Sequence, residues 1–287
     1  METLKEILAP DFLLRNSVYT SVLVGFACPL VGVFLVLRRL VFMGVALPQI
    51  SSTGVAVALS LPVWLGLNLN NGEAHAHTLA FAGSTVFTLA AMLVLAFLER
   101  RGRGSAEGRL GTAYVVATAL SILLLSKNRV AEAGWLDLLK GEIITISNFD
   151  LALTAIALAG VLIVLGLFSK ELLLVSFDRT MAATLGKNVL FWDAVLYLLI
   201  GMTVSVAVLS VGPLIAFGFL LIPVLTAHLF ARNMKWFVIL ASLLGGLTSF
   251  LGFWLAYRWD WPVGPTDVVL LGVVYLSGFG VKKMIFR

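Results

Sequence analysis

The feature that most constrains this chain is its succession of long stretches without a charged side chain. Asn16 to Leu37 is the first, and Leu40 to Gly72, Ala74 to Leu98, Leu110 to Ser126, Leu151 to Ser169, Ala194 to Ala231, Phe237 to Tyr257 and Val263 to Val281 follow. A helix rises 1.5 Å per residue and the hydrocarbon core of a bilayer is about 30 Å thick, so roughly 20 apolar residues cross it. Each run is one span except Ala194–Ala231, which Gly212-Pro213 breaks into a hairpin of two. The fold class expected is all-α: a polytopic helical bundle of about nine transmembrane helices forming one domain over residues 1–287. With 60% hydrophobic and only 12% charged residues, the 287-residue chain lies outside the soluble range.

Basic residues collect between alternate spans. One side holds Arg38 and Arg39, the arginines of residues 99–109, Lys170, Arg179, Lys187, Arg232, Lys235, Lys282, Lys283 and Arg287, while most acidic residues fall on the other. The positive-inside rule then places the C-terminus in the cytoplasm and the N-terminus outside. Short basic clusters between apolar runs are a topology signal and not a phosphate-binding stripe, so no nucleic-acid partner is expected. Residues 1–16 are mixed in charge and lack the layout of a cleavable signal. Cys28, the one cysteine, excludes an internal disulfide and a multi-cysteine metal site.

Within the second run, Pro48, Gln49, Ser51, Ser52 and Thr53 stand on consecutive turns. An amide or hydroxyl without a partner in hydrocarbon costs about 1–3 kcal/mol, so such groups turn toward a bundle interior or a wet path. Ser and Thr can also satisfy themselves on their own helix carbonyls, whereas Gln49 cannot readily do so. Gln49, Ser52 and Thr53 are the candidate path-lining groups.

No chemistry of a membrane enzyme is visible. There is no His-Glu-x-x-His helix, no pair of aspartates at membrane depth and no Gly-x-x-x-x-Gly-Lys-Ser/Thr nucleotide loop. The ionisable residues near the spans, Asp193, His228 and Asp267, each stand alone near a predicted membrane edge, with Asp267 close to the outer end of the last span. Carriers coupled to protons or sodium bury carboxylates near the midplane, so the driving energy is expected from a partner. Between the fifth and sixth spans, Asp178 is suited to cap a short helix and Gly186 to end it. Phe177, Met181 and Leu185 recur at i, i+4 and i+8, which makes one apolar face for a cytoplasmic ATPase or for lipid headgroups. On the outer side, Glu73, His75 and His77 offer a weak candidate for a divalent metal.

Several stretches together resemble one family, the permeases of bacterial ABC importers for zinc, manganese and iron. That family has a double arginine leading into Met-Gly-Asp-x-Leu-x-His-x-x-x-x-Gly; here Arg38-Arg39 leads into Met43-Gly44-Val45-Ala46-Leu47-Pro48-Gln49 and closes at Gly54. Leu138 to Ser147, Phe177-Asp178 with Ala182 and Leu185-Gly186, Val211 to Leu214, Leu221 to Pro223, and Pro262 to Thr266 are similar to further segments of it. The resemblance runs from about residue 12 to the C-terminus.

The resemblance implies a permease in the bacterial inner membrane that works with a second copy of itself, an ATP-binding-cassette ATPase and an extracytoplasmic solute-binding protein. ATP with magnesium belongs on the ATPase, so this chain is expected to hold no cofactor and to be no enzyme. Coupling falls to Phe177, Asp178, Met181, Leu185 and Gly186. The Asp and His taken to line the family's metal path are Val45 and Gln49 here. Valine cannot coordinate and a neutral amide is a poor zinc ligand. Either other groups, such as Ser52 and Thr53, guide the metal, or this branch carries something else. The alternatives from other classes are an ATP-independent channel or secondary carrier, and a structural membrane component.

Overall fold

A computed structural model describes residues 12–64, 72–100, 106–126 and 146–285. These residues form helices and contain no strand. In chain order the helices are α1 (Arg15–Leu37), α2 (Val41–Trp64), α3 (Gly72–Arg100), α4 (Ala106–Leu125), α5 (Asn148–Leu167), the short α6 (Ser169–Phe177) and α7 (Arg179–Thr184), then α8 (Val189–Val211), α9 (Pro213–Phe230), α10 (Met234–Trp259) and α11 (Val263–Ile285). Nine of them are long and apolar enough to cross a membrane.

Burial sorts these spans into two shells. Within their most apolar windows α1, α2, α8 and α9 are 67, 72, 67 and 61% buried, whereas α3, α4, α5 and α11 are only 17–22% buried. The inner four are therefore the packing core, gathered around Val24, Leu35, Leu47, Leu196, Ile200, Phe219 and Leu220. The outer helices present Leu93, Val116, Leu123, Ile156 and Ile163 away from the core. A helix apolar on every side suits lipid on one flank and protein on the other.

Caps and corners set the ends. Ser147 caps α5 by accepting from the Asp150 N–H at 3.1 Å, and Asn16 donates from Nδ2 to the Ile146 carbonyl at 3.1 Å, tying the start of α1 to that of α5. Gly212 and Pro213 make the predicted corner between α8 and α9, where Pro213 opens α9 without an N–H to lose. α2 and α3 cross at Gly54 and Gly83, where a Cβ on Gly54 would meet the Gly83 carbonyl and the Phe87 side chain. Only glycine permits backbones that close.

Since consecutive spans alternate in direction, the end of α1, the start of α2, the end of α9, the start of α10 and the end of α11 all share the face that carries α6 and α7. The starts of α1 and α11 and the end of α10 lie on the opposite face. The connection before α8 differs from the expectation of one short helix: α6 is a separate nine-residue helix continuing from α5, and Asp178 breaks it from α7.

Candidate functional site

α2 is the helix that other helices surround, with α1, α3, α4, α8 and α9 all packed on it. Its polar residues divide by direction. Ser51 shares a 2.7 Å hydroxyl contact with Ser84 of α3. Thr53 Oγ1 lies 2.9 Å from the carbonyls of Gln49 and Ala117 and accepts from Ser121 Oγ at 2.9 Å, so this hydroxyl joins α2 to α4. Thr53, expected among path-lining groups, is thus engaged between helices. Gln49 is 9% exposed and Ser52 is buried. Val45, half-buried, stands four residues before Gln49, and Ser52 three after it, on one side of the helix. Gln49 sits ~12 Å along α2 from the face that carries α7, at 1.5 Å per residue. The backbone of His75 and His77 belongs to the opening of α3, not to a loop, and their side chains lie outside the described residues. Residues 138–145 of the Leu138–Ser147 segment lie outside them also. Among the described residues no group of three or more His, Cys, Asp or Glu gathers to hold a metal.

The segment between the fifth and sixth spans has the expected cap and stop, in a sharper geometry. Asp178 caps α7, its Oδ1 accepting from the Thr180 hydroxyl at 2.6 Å and the Met181 N–H at 2.9 Å. The Thr180 hydroxyl first, then the Met181 N–H, hold its carboxyl below the usual carboxylate range. Gly186 adopts φ 73° and closes the helix, with Gly186 N–H to the Ala183 carbonyl at 3.0 Å and Lys187 N–H to that of Ala182 at 3.0 Å. Ala182 is fully buried and seats the helix, while Phe177, Met181 and Leu185 are 65, 53 and 59% exposed. Phe177 belongs to the last turn of α6 and Leu185 to the cap of α7, so the extended Asp178 interrupts the i, i+4, i+8 spacing and only Met181 and Leu185 keep it.

Behind these side chains lies a charge network that the sequence reading missed. Arg38, at the end of α1, donates from Nη1 to Asp193 Oδ1 at 2.6 Å and from Nε to Ser176 Oγ at 3.0 Å. Arg179 Nη2 is 3.4 Å from Asp193 Oδ2, and the Arg38 guanidinium lies 5.8 Å from the centre of the Tyr197 ring. The Asp193 carboxylate of α8 thus meets Arg38 from the end of α1 and Arg179 of α7, and Ser176 of α6 joins the network through Arg38. Asp193 is therefore paired and not solitary; its partner is 155 residues away, so no local pattern announces it. A groove of about 380 Å³ beside the network is lined by Arg38, Arg39, Ser176, Phe177, Asp178 and Thr180. The other unexpected placement is Asp267, which is fully buried between α10 and α11.

Comparison with known proteins supplies the family. The ABC 3 transport family matches residues 11–282. The manganese import system permease protein ScaB of Streptococcus gordonii is 27% identical over 266 residues, 93% of this chain and 90% of that protein. A Haemophilus influenzae protein named "Probable iron transport system membrane protein" is 29% identical over 281 residues, 97% and 93% of the two chains. Among solved structures, a chain of PsaBC from Streptococcus pneumoniae in complex with Fab superposes with a TM-score of 0.81 at 27% identity, over 97% of this chain and 94% of that one. Nine apolar spans, the capped helix between the fifth and sixth of them and a family match across nearly the whole length agree: this chain belongs to the ABC 3 transport family.

Proposed function

We propose that this chain is the permease of an ATP-driven importer, that it works as a pair with a second copy of itself, and that its cargo is a divalent transition metal handed over by an extracytoplasmic binding protein. The observation that carries the reading is the group of exposed apolar side chains Phe177, Met181 and Leu185 on and beside the capped α7, mounted on a partly buried ion pair. An apolar patch on a rigid mount is a surface for another protein. An ATPase gripping α7 would move α1 and α8 through Arg38 and Asp193, and rocking of the two halves would open the path to alternate sides. ATP and magnesium are held by that ATPase, and this chain catalyses nothing.

The face that bears α7 is then cytoplasmic, in a bacterial inner membrane. Its excess of Arg and Lys supports this orientation, and the end of α11 shares that face. Relatives named for manganese and iron transport supply the cargo class. Gln49 and Ser52 line the path beside Val45, so the metal meets neutral oxygen donors and is held weakly in transit. Selectivity then rests with the binding protein. Val45 and Gln49 also favour a second reading, a non-metal solute carried by the same machinery.

One experiment separates them: uptake of zinc, manganese and iron by cells with and without this chain, beside Val45→Asp with Gln49→His. Uptake that depends on the natural chain supports the metal reading. Metal handling gained only by the double variant assigns a different cargo. Transport without ATP by a preparation lacking a stoichiometric ATPase removes the importer reading altogether.

A further inference from the structure

The groove of about 380 Å³ beside α7 has a lining whose charges do not balance among the described residues. Its walls are the corner from Leu37 to Leu40, which joins α1 to α2, and the run from Ser176 to Thr180, which joins α6 to α7. Arg38, Arg39 and Arg179 line it, and Asp178 is the acid in its lining; Asp193 stands behind, bonded to Arg38 and Arg179. Three guanidiniums therefore meet two carboxylates, and one positive charge is left over. Lys187 and Glu171, 3.5 Å apart, are the next charges along the segment and cancel each other.

The surplus falls on Arg39. Its side chain is exposed, and among the described residues its guanidinium has neither ion pair nor hydrogen bond. Its backbone sits at φ 57°, at the position after the α1 cap where glycine is the usual occupant. The Leu40 N–H to the Leu35 carbonyl at 2.8 Å and the Arg39 N–H to that of Val36 at 3.1 Å fix this turn. The corner thus holds an arginine in a left-handed conformation that side chains disfavour, and keeps it in the groove wall. Beside it Arg38 is 5% exposed, with Nη1 and Nε engaged by Asp193 and Ser176 and with Nη2 buried without a hydrogen-bond partner.

An unpaired guanidinium next to an orphaned donor calls for an acceptor with one negative charge, such as a carboxylate or a phosphodiester. At about 30 Å³ per water the groove has room for roughly a dozen waters, enough for one acidic side chain and its flanks. Phe177, 65% exposed, stands in the same lining, and Met181 and Leu185 are exposed on the adjoining α7. A lipid headgroup accounts for the charge alone. A protein that brings an acidic side chain among apolar ones accounts for the charge and for these side chains together.

We propose that the corner between α1 and α2 is a second docking element beside α7, and that an aspartate or glutamate of the ATPase enters the groove to pair with Arg39. This rests on the importer reading, in which that ATPase grips α7, and adds to it the corner and the acidic chemistry of the partner. Arg39 lies two residues before α2 begins, so movement of the ATPase reaches Gln49 along α2 without passing through α8.

The test is the affinity of the ATPase for the permease in nanodiscs of phosphatidylcholine alone, at low and at high salt. Arg39→Gln should weaken binding roughly tenfold at low salt and flatten its salt dependence, while Arg39→Lys keeps most of the affinity. Without the ATPase, Arg39→Gln should melt with the natural chain. A lower melting temperature there assigns the charge to a partner within this chain and overturns the proposal. A loss of affinity that appears only when anionic phosphatidylglycerol is added assigns the groove to a headgroup and overturns it too. If Arg39→Gln binds as the natural chain does at every salt while Phe177→Glu with Leu185→Lys fails to bind, the corner is no docking element and the importer reading stands. If both bind as the natural chain does, the docking on α7 falls as well.

Discussion

Asp193→Ala puts the mount of α7 to its most direct test. The change leaves the Arg38 guanidinium, whose side chain is 5% exposed, without its 2.6 Å carboxylate partner and with only the Ser176 hydroxyl as acceptor. Removing one member of a buried pair costs about 3–5 kcal/mol, because the remaining charge stays desolvated. Asp193 is 17% exposed, so water can partly replace it, and the lower figure, ~3 kcal/mol, applies. In a chain of this size that is ~5 °C of melting temperature. Arg179→Ala removes the outer contact to Asp193 at 3.4 Å, made by a side chain 49% exposed, and should cost under ~1 kcal/mol. Replacing both charges, Arg38→Met with Asp193→Leu, should return to within ~1 kcal/mol of the natural chain. The assay is thermal unfolding in nanodiscs for all four proteins. Equal losses for Asp193→Ala and Arg179→Ala, or a double variant no better than Asp193→Ala, would refute the view that Asp193 stabilises by compensating Arg38.

The remaining expectations concern packing, coupling and pH. Phe177→Glu with Leu185→Lys alters two side chains that are mostly exposed, so melting should move by under ~0.5 kcal/mol while ATP hydrolysis is uncoupled from uptake; unchanged coupling in a reconstituted transport assay removes the docking assignment. Gly54→Val places a side chain against the Gly83 carbonyl and 2.7 Å from the Phe87 Cβ, and should destabilise the α2 and α3 crossing by about 1–3 kcal/mol, read by thermal unfolding beside Gly160→Val, where a Cβ meets nothing. The lowered carboxyl of Asp178 gives a signed pH effect. Its contribution to the α7 cap is present above the ordinary carboxylate range and is lost as pH falls through its own lower value, so hydrogen exchange of residues 179–184 should rise at acid pH and become insensitive to pH in Asp178→Asn.

Much of this was legible in the residues. The expected spans coincide with the observed ones to within a few residues, and α1 begins at Arg15 where the uncharged run begins at Asn16. The Asp178 cap, the Gly186 stop and the Gly212-Pro213 corner were legible for a related reason: each acts through its own neighbours in the chain. Asp193 and Asp267 were not. Read along the sequence each is an acidic residue near a membrane edge, and only Arg38 in the one case and the α1 and α10 seam in the other show what surrounds it. Thr53 sits in the polar cluster as Ser52 does, but its hydroxyl meets Ala117 and Ser121 of a helix whose position no local spacing encodes.

By itself, then, the order of residues determined that the chain crosses a membrane, where it enters and leaves, and which short helix is left outside the spans, because solvation and backbone capping act over one or a few turns. Tertiary structure alone decided which of those helices lie inside, which polar groups find each other, and which carboxyl is buried without a partner among the described residues. Those outcomes depend on the angle and register at which apolar helices cross. In this bundle glycines and serines at the crossings set both, through contacts as remote as Ser21 with Ser249.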